Sequence, residues 1–503
     1  MVNTNTGDAA STLIIPVESQ VRELDAKILL ACFAAERGFP VLIGSRAFAH
    51  FQMASIPRGV YLAKSMRSLS SSMFKALRQL GHEIVAWEEE ALVHPPADTY
   101  FTLRLSPQTI NKVSHVFAWG QENVDLMQQY PDLPQNLPIH ITGNPRGDML
   151  RPELRPFFDP EVKKLRDRYG DFILINTNFS DVNPFIPSIG LFQSAKSSDK
   201  TKRRGQAGIG MSIEFAEGLR DHKQAILEDF KQLIPALERA FPEMTIVVRP
   251  HPSENNQIYQ DLAARSERIV VNKEGNVIPW LLAAKALVHN GCTTGLEAYV
   301  LGVPAISYLA TLNKFYDYDF QGLPTKLSYQ CFNFAELQMT LNRVLAGELG
   351  GAGGEERQAL IDYYLSAQQG PLACERIVDV LESSGYSASQ PPPSPFSRFA
   401  RGWLFTTIKA ALTNLYMRRP GPNRLAYHDH RFPEISVTDL EQKITRFGQL
   451  LHRFDTIKIE QHSKHLFMVS SRSKRKISQA VPEVNTCEND RAVKSEHNAL
   501  LPD

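Results

Sequence analysis

Three groups of residues have types and spacings suited to chemistry. A histidine stands between two prolines in Arg249-Pro250-His251-Pro252-Ser253-Glu254. Further on, Asn290-Gly291-Cys292-Thr293-Thr294-Gly295 leads to Glu297 and then to Gly302-Val303-Pro304. Far upstream, three consecutive carboxylates, Glu88, Glu89 and Glu90, follow an apolar run. A helix opening at Gly-Cys-Thr-Thr-Gly presents N–H groups without intrahelical partners, and its dipole favours negative charge, so it suits a phosphate. A nearby histidine that donates to that phosphate stabilises charge developing on a leaving group. Its ordinary pKa also makes protonation accessible. Crowded carboxylates raise one another's pKa, as a general base requires. Strand alternation puts Glu88 and Glu90 on one side and Glu89 on the other. Glu89 is the preferred base, and the other two are expected to be solvated.

Each group also has a plainer reading. His251 would be a buried structural histidine, Glu297 a surface glutamate, and Glu88–Glu90 a helix start where the dipole favours acidic residues. The functional reading of His251 is preferred because Arg249, Ser253, Glu254, Asn290, Gly291, Thr293 and Thr294 should converge on one sheet edge. The ligand inferred there is the phosphate of an activated donor. Candidates for the acceptor side are Glu18, Lys64, Asn144 and Arg146. Glu18 ends the first strand and Lys64 the third, where a solvated lysine is the alternative. Asn144 and Arg146 lie in Gly143-Asn144-Pro145-Arg146-Gly147-Asp148, whose plain reading is a turn. Arg22 and Asp25, at i and i+3, read as a surface pair, with Glu23 between them.

The elements that must position these groups follow from hydrophobic runs and punctuation. Thr12–Val17, Pro40–Ile43, Gly59–Ala63, Glu83–Trp87, His115–Trp119 and Ile139–Thr142 read as strands separated by helical segments. Arg151–Gly170, rich in proline and charge, suits a hinge. A second series follows, with strands at Phe172–Asn176, Thr245–Arg249, Ile269–Val271, Ala286–His289 and Pro304–Ser307. Its helices are expected at Ile213–Phe241, Trp280–Lys285, Thr293–Leu301 and Asn333–Ala346. The polar insert Ser180–Gly210 reads as a mobile loop. Strands alternating with helices give parallel sheets. The expected fold class is α/β, with two Rossmann-like domains (12–150 and 171–385) facing across a cleft, the GT-B architecture. Ligands of open α/β sheets bind at such strand ends.

The chain has 503 residues, 55 basic and 54 acidic, so no global field argues for nucleic acid. Cys32, Cys292, Cys331, Cys374 and Cys487 are scattered and lack C-x-x-C spacing, against a disulfide framework or zinc site. No signal peptide and no apolar run of spanning length is evident, so a soluble cytoplasmic chain is expected. No Asp-x-Asp motif or ligand cluster appears, so neither metal nor cofactor is expected beyond the donor itself. Pro391-Pro392-Pro393 marks a linker. After it, 396–470 is expected as a helical extension and 472–503 as a disordered tail. Residues 396–419 contain Arg398, Arg401, Lys409, Arg418 and Arg419 and no acidic residue. This segment reads first as a helix packed across the two domains. The second reading lays it on an anionic surface at the inner membrane.

IIPVESQVRELDAK, AWEEE, TGNPRGDMLRPELRPFF, RPHPSEN and HNGCTTGLEAYVLGVPAISY together resemble the bacterial surface carbohydrate biosynthesis proteins. Similarity extends more distantly to glycerophosphotransferases that use CDP-glycerol. It also extends to GT-B sialyl and Kdo transferases, with Glu89-Glu90, His251-Pro252 and Thr293-Thr294 in matching order and Ala91 where the sialyltransferases have glycine. The resemblance implies a transferase of capsule or lipopolysaccharide assembly. It would move a sugar or polyol phosphate from a nucleotide-activated donor, expected to carry cytidine, to a glycan or lipid-linked acceptor. It also implies that Glu297 holds the nucleotide ribose. A nucleotide-sugar 2-epimerase of the same fold and a non-catalytic nucleotide- or glycan-binding assembly factor are the alternatives.

Overall fold

A computed structural model of the chain describes residues 10–193, 204–317, 322–417, 428–429 and 431–472. The first half forms β1 (Thr12–Val17), β2 (Val41–Ser45), β3 (Gly59–Ala63), β4 (Glu83–Trp87), β5 (His115–Ala118) and β6 (Ile139–Ile141). The second half forms β7 (Phe172–Asn176), β8 (Thr245–Arg249), β9 (Ile269–Val271), β10 (Ala286–His289), β11 (Ala305–Tyr308) and β12 (Tyr329–Cys331). β13 (Ile457–Ser463) and β14 (Leu466–Ser471) follow near the C-terminus. Helices used below are α1 (Gln20–Glu36), α2 (Arg46–Gln52), α3 (Ser71–Leu80), α4 (Pro145–Asp148), α5 (Thr294–Leu301), α6 (Ala373–Ser383), α7 (Phe396–Met417) and α8 (Val437–Leu451).

The second sheet runs β12-β11-β10-β7-β8-β9, all parallel. Its order reverses between β7 and β10, the crevice where doubly wound sheets bind ligands. The first sheet runs β13-β14-β2-β1-β3-β4-β5-β6, parallel from β2 to β6 and reversing between β1 and β3. β1, β2, β3, β7 and β10 are buried along their whole length, as strands covered on both faces must be. This is a GT-B-like α/β fold, two Rossmann-like halves with a helical C-terminal extension.

The extension departs from expectation in two ways. It is helical over α7 and α8 but then turns into the β13–β14 hairpin, whose second strand pairs antiparallel with β2. That pairing covers the β2 edge of the first sheet and makes β13 its outer strand. α7 packs on α3 and α2, both in the first half. The helix that crosses is α6, which follows the second sheet in the chain and packs on α1 and α4 of the first half. The connection read as a hinge is ordered into the 3-10 turn Arg155–Phe158 and the helix Asp159–Tyr169, with Phe157 and Phe158 buried. Parts of the insert (194–203), Arg418, Arg419 and the tail from 473 lie outside the described residues.

α1 is apolar almost all round, and even its Glu23, Asp25 and Lys27 are buried. It lies against β1, β2, α4, α6, α8 and β14, so it has no solvent face to keep polar. α6 is fixed from the other half. Asp148, at the end of α4, accepts the Ala373 and Cys374 N–H groups at 2.8 and 2.9 Å and so satisfies donors of the α6 N-terminus. Burial pushes the Asp148 carboxyl up to about 6, although both amides favour its charged form. Asp148→Ala should strand these donors and cost on the order of 1–3 kcal/mol for each. Urea denaturation checks this, and a loss below about 0.5 kcal/mol in total would remove Asp148 as the link between the halves.

Candidate active site

The strand ends of both halves open onto one cavity of about 380 Å³. From the second half, β7 delivers Asn176 and Thr177, and β8 delivers Arg249, His251 and Ser253. The turn after β10 delivers Cys292, Thr293 and Thr294, and α5 delivers Glu297. The first half supplies Arg22, Glu90 and Arg146, and the extension supplies Arg431.

His251 is held by its own loop. Its Nδ1 accepts the Ser253 N–H at 3.2 Å, so the proton of the neutral ring sits on Nε2. Its backbone N–H donates to Glu254 Oε1 at 3.0 Å. Glu254 is fully buried and also accepts from Thr177 and Tyr259, at 2.8 and 2.7 Å. Glu254 therefore braces the loop and does not line the cavity. Burial, helped by the Arg22 and Arg431 charges, lowers the His251 pKa to about 4, with Glu90 opposing. The expectation of ready protonation is thus corrected: in the free protein His251 is a neutral Nε2–H donor.

The turn after β10 folds around a second histidine. Gly291 N–H donates to His289 Nδ1 at 3.0 Å, and His289 Nε2 meets Ser328 Oγ at 2.9 Å. Gly295 is needed because a Cβ there would lie 2.5 Å from His289 Nε2. This packing seats the first turn of α5 at the cavity, where the side chains of Thr293 and Thr294 sit among its lining. Asn176 Oδ1, at the cavity, and Asn290 Oδ1 are buried without hydrogen-bond partners, but Asn290 and Gly291, expected to bind the donor, lie outside the cavity lining. The buried Thr294 hydroxyl finds no oxygen or nitrogen partner and has the Cys292 thiol beside it. Buried polar atoms of this kind are uncommon unless a ligand or water meets them.

Arg249 is placed differently from its expected donor-binding role. Its guanidinium donates to the Glu274 and Gly275 carbonyls and stacks over Trp280 at 5.4 Å, so it builds the wall. Glu297 Oε1 takes Arg146 Nη2 at 2.8 Å, across the halves. Asn144 caps α4, its Oδ1 accepting the Arg146 N–H at 3.0 Å, and lies outside the cavity.

The three glutamates are not a crowded, solvated cluster. Glu88 and Glu89 are buried. Glu88 pairs with Arg104, and Glu89 accepts Trp87 Nε1 at 2.8 Å with Lys27 and Arg146 at 3.8 and 3.7 Å. Neither lines the cavity, so the choice of Glu89 as base is corrected. Glu90 alone reaches it, with 37% of its side chain exposed, and receives Arg22 through two bonds of 2.5 and 2.7 Å. Burial would raise the Glu90 carboxyl, but Arg22, with Arg104 and Arg146 behind it, holds it well below its usual range. The Glu88 pKa is raised, but by burial first, with Arg104 opposing; repulsion between the carboxylates is the smaller effect.

Arg22 is therefore a cleft residue and no surface partner of Asp25. Asp25 instead receives Lys443 at 2.7 Å and Asn276 Nδ2 at 3.1 Å. Glu23 turns inward to cap α1, accepting the Glu18 and Ser19 N–H groups at 3.0 and 3.1 Å and Lys27 at 2.7 Å. Lys64 is not solvated. It pairs with Glu18, which also receives Arg431 at 2.6 Å and has Arg46 at 3.8 Å. Despite burial, these three cations keep Glu18 ionised far below the usual carboxylate range. Arg22, Asn176, Thr177 and Arg431 were not singled out as site residues. The strand-end triplet Asn176-Thr177-Asn178 was readable once β7 is placed at the reversal point, whereas Arg431 has no local signal.

No family model matches the sequence, and no curated protein does. Solved structures similar to it include the wall teichoic acid polymerase TagF, at 12% identity and TM-score 0.47, covering 75% of this chain and 89% of that one. Another is the Methanocaldococcus jannaschii UDP-GlcNAc 2-epimerase in complex with UDP-GlcNAc and UDP, at 13% and 0.43, covering 74% and 99%. A third is the S. aureus MnaA–UDP structure, at 12% and 0.41, covering 76% and 100%. The chemistry of the cleft rests on its own residues.

The His251 environment is measurable. With its folded pKa near 4, below the 6.5 of an ordinary histidine, the folded state binds fewer protons than the unfolded state between these values. Its contribution to stability is therefore complete above about pH 6.5 and is lost as pH falls toward 4. An NMR titration of the His251 ring should give a midpoint near 4 in the free protein. A midpoint at 6–7, the range of an ordinary histidine, would refute this burial argument.

Proposed function

We propose that this protein is a transferase of surface-glycan assembly that takes a sugar or polyol phosphate from a nucleotide-activated donor. The observation that carries the reading is the meeting of His251 Nε2–H, the opening turn of α5 and the unpartnered Asn176 oxygen on one cavity, opposite Arg22 and Glu90. Donor phosphates would lie at the α5 N-terminus, against the Thr293 and Thr294 groups, with His251 donating to the oxygen that becomes the leaving nucleotide's. The bond from that oxygen to the transferred carbon or phosphorus breaks as the acceptor hydroxyl forms the new one. A bound phosphate also raises the His251 pKa, because an adjacent negative charge favours imidazolium.

The acceptor hydroxyl would approach from the first half, beside Glu90. Arg22 keeps Glu90 a weak base, which suits a late proton transfer. Phosphoryl transfer is such a case, since it depends mainly on positioning and charge stabilisation. Glu297, fixed by Arg146, would hold the ribose, and the Glu18–Lys64–Arg431 group at the β1/β3 reversal would meet an anionic acceptor. The cytidine preference comes from the motif resemblance.

Titration calorimetry with CMP, CDP, UDP and GDP tests donor binding, and a preference for UDP would move the reading toward the epimerase or a UDP-sugar transferase. His251→Ala should lower kcat about 10²–10³-fold with a native circular dichroism spectrum. Thr294→Val should weaken nucleotide binding about tenfold. Glu90→Gln should lower kcat without weakening nucleotide binding, whereas Glu89→Gln should act on stability. Full activity in His251→Ala, or conversion of a free nucleotide sugar without any acceptor, would overturn the reading.

A further inference from the structure

α7 buries one narrow face and leaves the rest uncovered. Thr406 is 1% exposed and Gly402 lies so close to α3 that a Cβ would come 2.8 Å from Gln79 Cβ. Away from that seam, Phe396, Trp403, Leu404, Phe405, Ile408 and Leu412 are 38–84% exposed. At about 100° per residue, these side chains spread over roughly half the circumference. Exposed apolar patches of this kind mark an interaction surface.

Charge says which surface. α7 and the two helices beneath it, α2 and α3, contain no aspartate or glutamate; Arg46 stands near Glu18 and Arg78 pairs with Glu83, which leaves Lys75, Arg398, Arg401 and Lys409 as the basic groups of this face. The whole chain balances 55 basic against 54 acidic residues, so this is a local bias. Leu69, 77% exposed, stands in the turn leading into α3. We infer that α7 lies in the plane of an anionic lipid bilayer, its aromatic and aliphatic side chains in the headgroup–acyl boundary and its arginines on lipid phosphates. Among the described residues no helix is long and apolar enough to cross a membrane, so in-plane docking is the arrangement open to α7. A second copy of this chain fits less well. It would bring like charges together without an acidic partner, and helix pairing uses a narrow seam, not half a helix surface.

The inference goes beyond the proposed transferase activity and is tested without nucleotide. Full-length protein is sedimented with vesicles of phosphatidylcholine alone and of phosphatidylcholine mixed with phosphatidylglycerol. It should bind the mixed vesicles selectively, and less as salt rises. Trp403→Ser combined with Leu404→Ser should lower partitioning about tenfold or more, with an unchanged melting temperature since both residues are exposed. Arg398→Glu with Arg401→Glu should remove the preference for the anionic lipid. Absence of binding to either vesicle at low salt, or equal binding to both, overturns the inference. So does a stable dimer in ultracentrifugation that Trp403→Ser converts to monomer.

Discussion

The cleft depends on one charged contact between the halves, Arg146 Nη2 on Glu297 Oε1 at 2.8 Å. Arg146 opens into the first half, with Glu89 at 3.7 Å and the Trp119 ring beneath it at 5.5 Å. Glu297 belongs to the helix whose first turn lines the cavity. Buried pairs add little net stability, because desolvation offsets the attraction, yet breaking one leaves a costly lone charge. Their usual contribution is register. Two residues on, Asp148 caps α6, so the turn after β6 holds both α5 and the crossing helix.

A second consequence concerns which groups remain available to a ligand. Glu18, Glu88, Glu89 and Glu90 all have cationic partners, and Arg249 is occupied by carbonyls. The wall is thus mostly settled internally. On the second-half wall the groups left to a ligand are neutral ones: the His251 Nε2–H, the helix start at Thr293–Thr294, and the amide oxygen of Asn176. Such preorganised neutral dipoles answer charge that develops during a reaction and need no countercharge before it.

Much of this was legible in the sequence, for identifiable reasons. Strands such as Phe172–Asn176 and Thr245–Arg249 are short apolar runs that end in polar or proline punctuation, and strand–helix alternation then forces parallel sheets. Position at strand ends also brought His251, Thr293, Thr294, Glu297 and Glu90 into one cavity. What stayed hidden was pairing. Whether Glu90 is a base depends on Arg22, which lies 68 residues earlier. Whether Arg249 is free depends on the carbonyls of a loop 25 residues on. Local spacing contains neither fact. The β13–β14 hairpin was missed because it is short and its second strand finds its partner in β2, some 420 residues away.

The extension is a working part of the cleft for the same reason. Arg431 reaches the cavity and pairs with Glu18. Lys443 binds Asp25 on α1, and the same carboxylate accepts Asn276 Nδ2 from the second half, so one side chain ties all three parts. Arg453 lies over the Phe33 ring at 4.4 Å and pairs with Glu36 on α1 and Glu375 on α6. α1 is thus enclosed, and its first turn, with Arg22 facing Glu90, has little freedom to shift. An opening of the halves must part Asp25 from Asn276, Arg146 from Glu297 and Asp148 from α6 together. Contacts that share elements in this way break cooperatively, since losing one exposes the buried charge of the next. The cleft is therefore held at a set width by charges that sequence spacing does not reveal, while the neutral donors inside it stay fixed in place.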